Sequence, residues 1–111
     1  MTLFALKRMS LVSPEVARKH LAEGALVIDV RSPDEFRSGH VPSAMNMPLG
    51  EIRESLRGRI KDRNQVVLLH CLSGTRSGIA KQQLKGLGYT NVFNLGSYGR
   101  AKQIVEGARG A

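Results

Sequence analysis

A single cysteine, Cys71, stands among 111 residues, so no disulfide can close within the chain and a multi-cysteine metal site is excluded. Tryptophan is absent and aromatic residues make up only 5%, which leaves few stacking platforms for single-stranded nucleic acid. Nucleic acid therefore ranks well below a small anion as a partner. No apolar run approaches the roughly 18 residues of a membrane span, so no membrane partner is expected. The opening Met-Thr-Leu-Phe-Ala-Leu-Lys-Arg is too short for a secretion signal, and the cytoplasm is the expected setting. Repeats, low-complexity tracts and linker-like stretches are also lacking, so one domain is expected over residues 10–107, with an extension at 1–9 and a tail at 108–111.

Acidic residues are scarce in one half only. Residues 1–55 carry seven bases and seven acids, whereas residues 56–111 carry ten bases and two acids, so the whole net charge of +8 lies in the half that holds Cys71. Such a field favours an anionic small molecule or an acidic partner. With 41% hydrophobic and 23% charged residues, the chain has the balance of a globular domain with one core.

Helix and strand signals alternate. Ser13-Pro14-Glu15 offers an N-cap, a proline at the first helical position and an acid in the first turn, predicting a helix to Gly24 with Val16, Ala17 and Leu21 on its apolar side. Ala25–Ile28 reads as a continuous buried strand ending at polar Asp29 and Arg31. Ser32-Pro33-Asp34-Glu35 restarts a short helix that Gly39 ends. Residues 44–47 form a short strand stopped by Pro48, and 49–60 a helix weakened by Gly58. Gln65–Leu69 is the clearest strand; a helix follows to Gly88, then a strand over 91–95 and a helix over 98–106. This alternation predicts an α/β fold with a mainly parallel sheet, whose ligands sit beyond the carboxyl ends of the strands. Cys71 falls there.

A strand, a glycine-containing loop and a helix form a cradle in which backbone N–H groups and the positive helix end converge on an anion. A thiol at its mouth is pushed toward thiolate. Arg76 and Lys81 supply cations nearby in sequence, and Ser73, Thr75 and Ser77 supply hydroxyls. A buried, inert cysteine is the commonest fate of an intracellular thiol, but Gly, two hydroxyls and Arg immediately after it are poor core composition. His-Cys-Leu-Ser-Gly-Thr-Arg-Ser over 70–77 also approaches the tyrosine-phosphatase signature, yet it is one residue short before the arginine. The sixth place after Cys71 is Ser77. The tighter loop suits a smaller guest, such as the outer sulfur of a persulfide.

Ile28 to Phe36, then Gly39 to Pro48, then Cys71 to Arg76, and finally Leu87-Gly88-Tyr89 with Val92, Leu95 and Gly96, together resemble the rhodanese (sulfurtransferase) family. The resemblance covers about Ser10 to Gly107. It implies a rhodanese-like three-layer α/β fold with a mainly parallel five-stranded sheet flanked by helices, of the single-domain type. It further implies a ping-pong reaction; no cofactor is expected, and no metal either, since none of the three His has ligand spacing with another. In that reaction Cys71 takes sulfane sulfur from a small anionic donor, thiosulfate or a low-molecular-weight persulfide, and passes it to a thiol, cyanide or a sulfur-carrier protein. Leu72, Ser73, Gly74, Thr75 and Arg76 would bind the substrate, their N–H groups holding the persulfide and Arg76 giving the fixed charge; Asp29, Arg31 and Ser77 would support the loop. Because Leu72, Ser73 and Thr75 are uncharged, thiosulfate is the poorer donor of the two. The alternatives are a non-catalytic binding module on the same scaffold and a cysteine-dependent phosphatase or arsenate reductase.

Asp29, Arg31, Glu35 and His40 suggest an acid/base set, but sulfur transfer between thiolates needs little proton traffic, so Asp29 and Arg31 are read as holding loops. His70 should point away from Cys71, and His20 toward solvent. Arg53, Arg57, Arg59, Lys61 and Arg63 read as a solvated face, with a docking patch for an acidic carrier or RNA as the alternative. Phe4 and Leu6 could pack on the domain or help a dimer, so monomer and homodimer both stay open.

Overall fold

The computed structural model describes residues 10–110, so the expectations for Phe4 and Leu6 and for an extension at 1–9 lie outside the described residues. Four strands, β1 (Leu26–Asp29), β2 (Met45–Asn46), β3 (Val67–His70) and β4 (Val92–Gly96), lie in the order β2-β1-β3-β4, and every pairing is parallel. Among the described residues five helices surround them: α1 (Pro14–Ala22), α2 (Pro33–Ser38), α3 (Ile52–Arg59), α4 (Thr75–Gly86) and α5 (Tyr98–Gly110).

Two buried clusters sandwich the sheet. Alternation along the strands sends Ile28, Val67, Leu69 and Val92 to one face, against Ile52 and Leu56 of α3 and Ala80 and Leu84 of α4. Val27, Leu68 and Leu95 go to the other face, against Ala17 of α1 and Ala101, Ile104 and Val105 of α5. The result is the expected three-layer α/β arrangement.

The expected five-stranded sheet is corrected to four strands among the described residues. Residues 10–13 run beside β4, where Val12 N–H donates to the Asn94 carbonyl at 2.9 Å, but the segment does not extend into a ladder. Val12's own carbonyl accepts from Arg100 Nη2 at 2.5 Å, and Pro14 opens α1 two residues later. Helix α1 begins before a second ladder bond can form, so the segment keeps a single hydrogen bond beside β4.

Most local signals act as read. Ser13 caps α1 by accepting from Val16 N–H at 3.2 Å, although α1 ends at Ala22 and leaves Gly24 in the turn. Ser32 and Glu35 form a reciprocal capping box at α2, which Gly39 closes. The 49–60 segment divides into a 3-10 turn, Leu49–Glu51, and α3. α5 continues to Gly110, beyond the expected Glu106. Val16 is exposed rather than part of the apolar side of α1. His20, expected in solvent, is half-buried and stacks on Phe93 with ring centroids 4.9 Å apart. Arg63 leaves the solvated face: Nη1 donates to the Tyr89 hydroxyl at 2.8 Å, and its guanidinium lies over that ring. No helix among the described residues is long and apolar enough to cross a membrane.

Candidate functional site

β3 ends at His70, and α4 begins at Thr75, so Cys71 to Gly74 bridge a strand end and a helix start. The register between β3 and β4 shifts after Leu69, which places Gly96 opposite His70 and lets Cys71 N–H donate to the Gly96 carbonyl at 3.2 Å. Tyr98 N–H donates to the Leu72 carbonyl at 3.1 Å, and Ser73 pairs with Ser97. The loop is thus strapped to residues 96–98 along its outer side.

Gly74 makes the turn into α4 with φ of +101°, a left-handed conformation that favours glycine. Its N–H points back at the Cys71 Sγ, 3.0 Å away. The Ser77 Oγ lies 3.5 Å from the same sulfur, and also 3.1 Å from the Gly74 carbonyl and 2.7 Å from Asn94 Oδ1. One hydroxyl proton cannot serve three acceptors, and the shortest contact gives it to Asn94 while the sulfur is a thiol. Burial pushes the Cys71 thiol up, but the Ser77 hydroxyl and the N–H groups of Ser77, Gly74 and Ser73 outweigh it and hold the thiol below its ordinary value. The positive end of α4 acts in the same direction.

The other expected residues take several positions. Leu72, Ser73 and Thr75 expose their side chains at the mouth, and Leu72 is 56% exposed. Arg76 is not free: Nη1 and Nη2 donate to Glu35 Oε1 and Oε2 at 2.8 and 3.0 Å. No hydrogen bond or ion pair joins Lys81 to the loop among the described residues.

Asp29 and Arg31 form a buried pair at the end of β1. Arg31 donates its backbone N–H, Nε and Nη2 to the Asp29 carboxylate at 2.8–3.0 Å, and Nη2 also reaches the Gly39 carbonyl at 2.7 Å. Arg31 thus joins the end of β1 to Gly39 at the end of α2, bracketing the helix that carries Glu35. The His70 ring lies on the face of the sheet opposite Cys71, 6.0 Å from the Tyr98 ring, and Nδ1 donates to the Cys71 carbonyl at 3.0 Å. Burial pushes its pKa down, and Nε2, which has no hydrogen-bond partner among the described residues, lies 3.7 Å from Asp29. His40 is exposed, stacked on Phe36 and bonded to that residue's carbonyl, so the four suggested acid/base residues do not converge. No group of three or more His, Cys, Asp or Glu able to hold a metal occurs among the described residues.

Two site residues escape the sequence reading. Asn94 is fully buried and shares the Cys71 face of the sheet with Val92; it donates Nδ2 to the Gly74 carbonyl at 3.1 Å and accepts from Gly96 N–H at 2.8 Å. A polar residue inside an apolar strand was the available signal. Glu35 stands among the suggested acid/base residues, but nothing local in the sequence ties it to Arg76, 41 residues away.

The family described as Rhodanese-like domain matches residues 13–99. Thiosulfate sulfurtransferase PspE of Escherichia coli is 42% identical over 69 residues, covering 62% of this chain and 66% of PspE, slightly less than two thirds of that relative's length. Thiosulfate sulfurtransferase GlpE of Pseudomonas entomophila is 32% identical over 84 residues, 76% of this chain and 75% of GlpE. Among solved structures, the human single-domain sulfurtransferase TSTD1 superposes with a TM-score of 0.72 at 30% identity, covering 82% of this chain and 93% of that one.

Proposed function

The chain belongs to the rhodanese-like domain family, and from that premise we propose that it is a sulfurtransferase in which Cys71 is the nucleophile and the sulfur carrier. The observation that carries this reading is the pair of contacts on one sulfur: Gly74 N–H at 3.0 Å and Ser77 Oγ at 3.5 Å, which lower a buried thiol instead of leaving it inert. A buried apolar cysteine would have its thiol raised. Relatives named thiosulfate sulfurtransferase support the same activity.

In the first half-reaction the Cys71 thiolate attacks the sulfane sulfur of the donor. With thiosulfate, the S–S bond of the donor breaks, sulfite leaves with the electron pair, and the Cys71 persulfide carries the remaining negative charge. The N–H groups of the loop, with Gly74 foremost, stand ready to receive that charge. In the second half-reaction a thiol, cyanide or a sulfur-carrier protein attacks the outer sulfur, and the thiolate leaves. Leu72, Ser73, Thr75 and Arg76 form the mouth, while Ser77, Asp29 and Arg31 keep the loop in place. The reading takes residues 10–107 as the working domain with short flanks at 1–9 and 108–111, and the cytoplasm, where thiols are kept reduced, as its setting.

Intact mass spectrometry tests the proposal. Reduced protein incubated with thiosulfate or a small persulfide should gain about 32 Da, one sulfur, and lose it to cyanide; Cys71→Ser should stay folded and gain nothing. A protein that gains no mass from either donor would instead be a binding module on this scaffold.

A further inference from the structure

Arg76 is the only cation between Cys71 and Ser77, and both of its terminal nitrogens are engaged by one carboxylate, that of Glu35, at 2.8 and 3.0 Å. The pair is at the surface, with side-chain exposures of 35% and 31%. Glu35 is also fixed from its own side, since Oε1 accepts from Ser32 N–H at 3.0 Å and Glu35 N–H donates to Ser32 Oγ at 3.2 Å. The Arg76 hydrogen bond and that from Ser32 hold the carboxyl at about 2, so it is charged wherever the thiolate exists. The rim of the loop therefore carries a cancelled charge, beside uncharged Leu72, Ser73 and Thr75 and the exposed Leu72 side chain.

We infer that Glu35 is a specificity-determining residue, selecting persulfides with an uncharged body next to the reacting sulfur over small dianions such as thiosulfate. The inference rests on the sulfur-transfer reading above. Thiosulfate bears its negative oxygens two bonds from the sulfur under attack, where the Arg76 donors are already taken and the Glu35 carboxylate repels. A persulfide R–S–SH presents carbon at that distance. The thiolate attacks its outer sulfur, a new S–S bond forms to Cys71, the old one breaks, the electron pair leaves with R–S⁻, and the proton stays on the transferred sulfur. No further oxidant or reductant enters.

The test is Glu35→Gln in the full chain, because Gln keeps one oxygen for Arg76 Nη1 and Ser32 N–H, the two donors that Oε1 serves, while removing the charge. Loading of Cys71 is timed by intact mass with thiosulfate and with the persulfide of 2-mercaptoethanol. Thiosulfate loading should rise by about tenfold at low salt, with the gain shrinking as salt is added, while persulfide loading changes by less than about twofold. Asp34→Asn, which removes the neighbouring carboxylate, should leave both rates as they are. Glu35→Asp, which keeps the charge but withdraws it from the guanidinium, should raise thiosulfate loading less than Gln does. Equal changes for the two donors, no gain with thiosulfate, or an Asp variant equal to the Gln variant would each overturn the inference. A wild-type protein loaded by neither donor would overturn the sulfur-transfer reading itself.

Discussion

Replacing Gly74 by alanine perturbs the loop at its tightest point. The native φ of +101° lies where an L residue is strained by about 1–2 kcal/mol. A Cβ built there would also stand 3.3 Å from the Gly96 Cα, a backbone atom that cannot rotate away, so the loop must move by a few tenths of an ångström. Movement takes the Gly74 N–H off the Cys71 sulfur, where it now sits at 3.0 Å. A hydrogen bond to a charged group contributes about 1.5–3 kcal/mol, equivalent to roughly a ten- to hundredfold smaller thiolate fraction at a fixed pH below the thiol's pKa. The assay is the rate of iodoacetamide alkylation of Cys71 against pH, beside a thermal melt. Gly74→Ala should shift the alkylation profile to higher pH and lower the melting temperature by several degrees, roughly 4–8 °C for each kcal/mol. An unchanged profile with a lowered melting temperature would refute the role of the Gly74 amide in holding the thiolate.

Other outcomes follow from the same geometry. Asp29→Ala strands the Arg31 guanidinium in a buried position, and breaking such a pair costs about 3–5 kcal/mol, so the melting temperature should fall by more than about 10 °C. A change within 2–3 °C would show that the pair is dispensable. Glu35 has its folded pKa depressed to about 2, so the pair with Arg76 adds stability that is complete above the ordinary glutamate value of 4.5 and is lost as pH falls through about 2. Denaturant titrations between pH 5 and 2 should therefore show a shallower acid decline in Glu35→Gln than in wild type, and parallel curves would contradict this. Cys71→Ser should retain the wild-type far-ultraviolet spectrum while losing all transfer.

The strands were legible because each is a short apolar run that gives way within a few residues to glycine, polar or charged residues, as around Leu26–Asp29 and Val67–His70. The loop at Cys71 was legible because its hydroxyls, glycine and arginine are contiguous. The fifth strand came only from family resemblance: the alternation of residues itself marks four, and Val12 shows why a single hydrogen bond beside β4 does not grow into another. Glu35 and Asn94 were not assigned to the site because their partners, Arg76 and Ser77, are distant in sequence and meet only through the crossovers. The exposure of Val16 has a similar origin, since helical spacing defines a face but not which neighbour will cover it.

The Glu35 carboxylate caps the start of a helix and also holds the guanidinium of Arg76, which ends the Cys71 loop. Two traits that could have varied independently therefore share one side chain. A lineage that replaced Glu35 with a residue lacking a side-chain acceptor would at the same stroke loosen the start of α2. Substitutions other than Gln at Glu35 are expected to be tolerated only alongside a compensating change in the first turn of α2, so the choice of donor should drift slowly and in steps of paired residues.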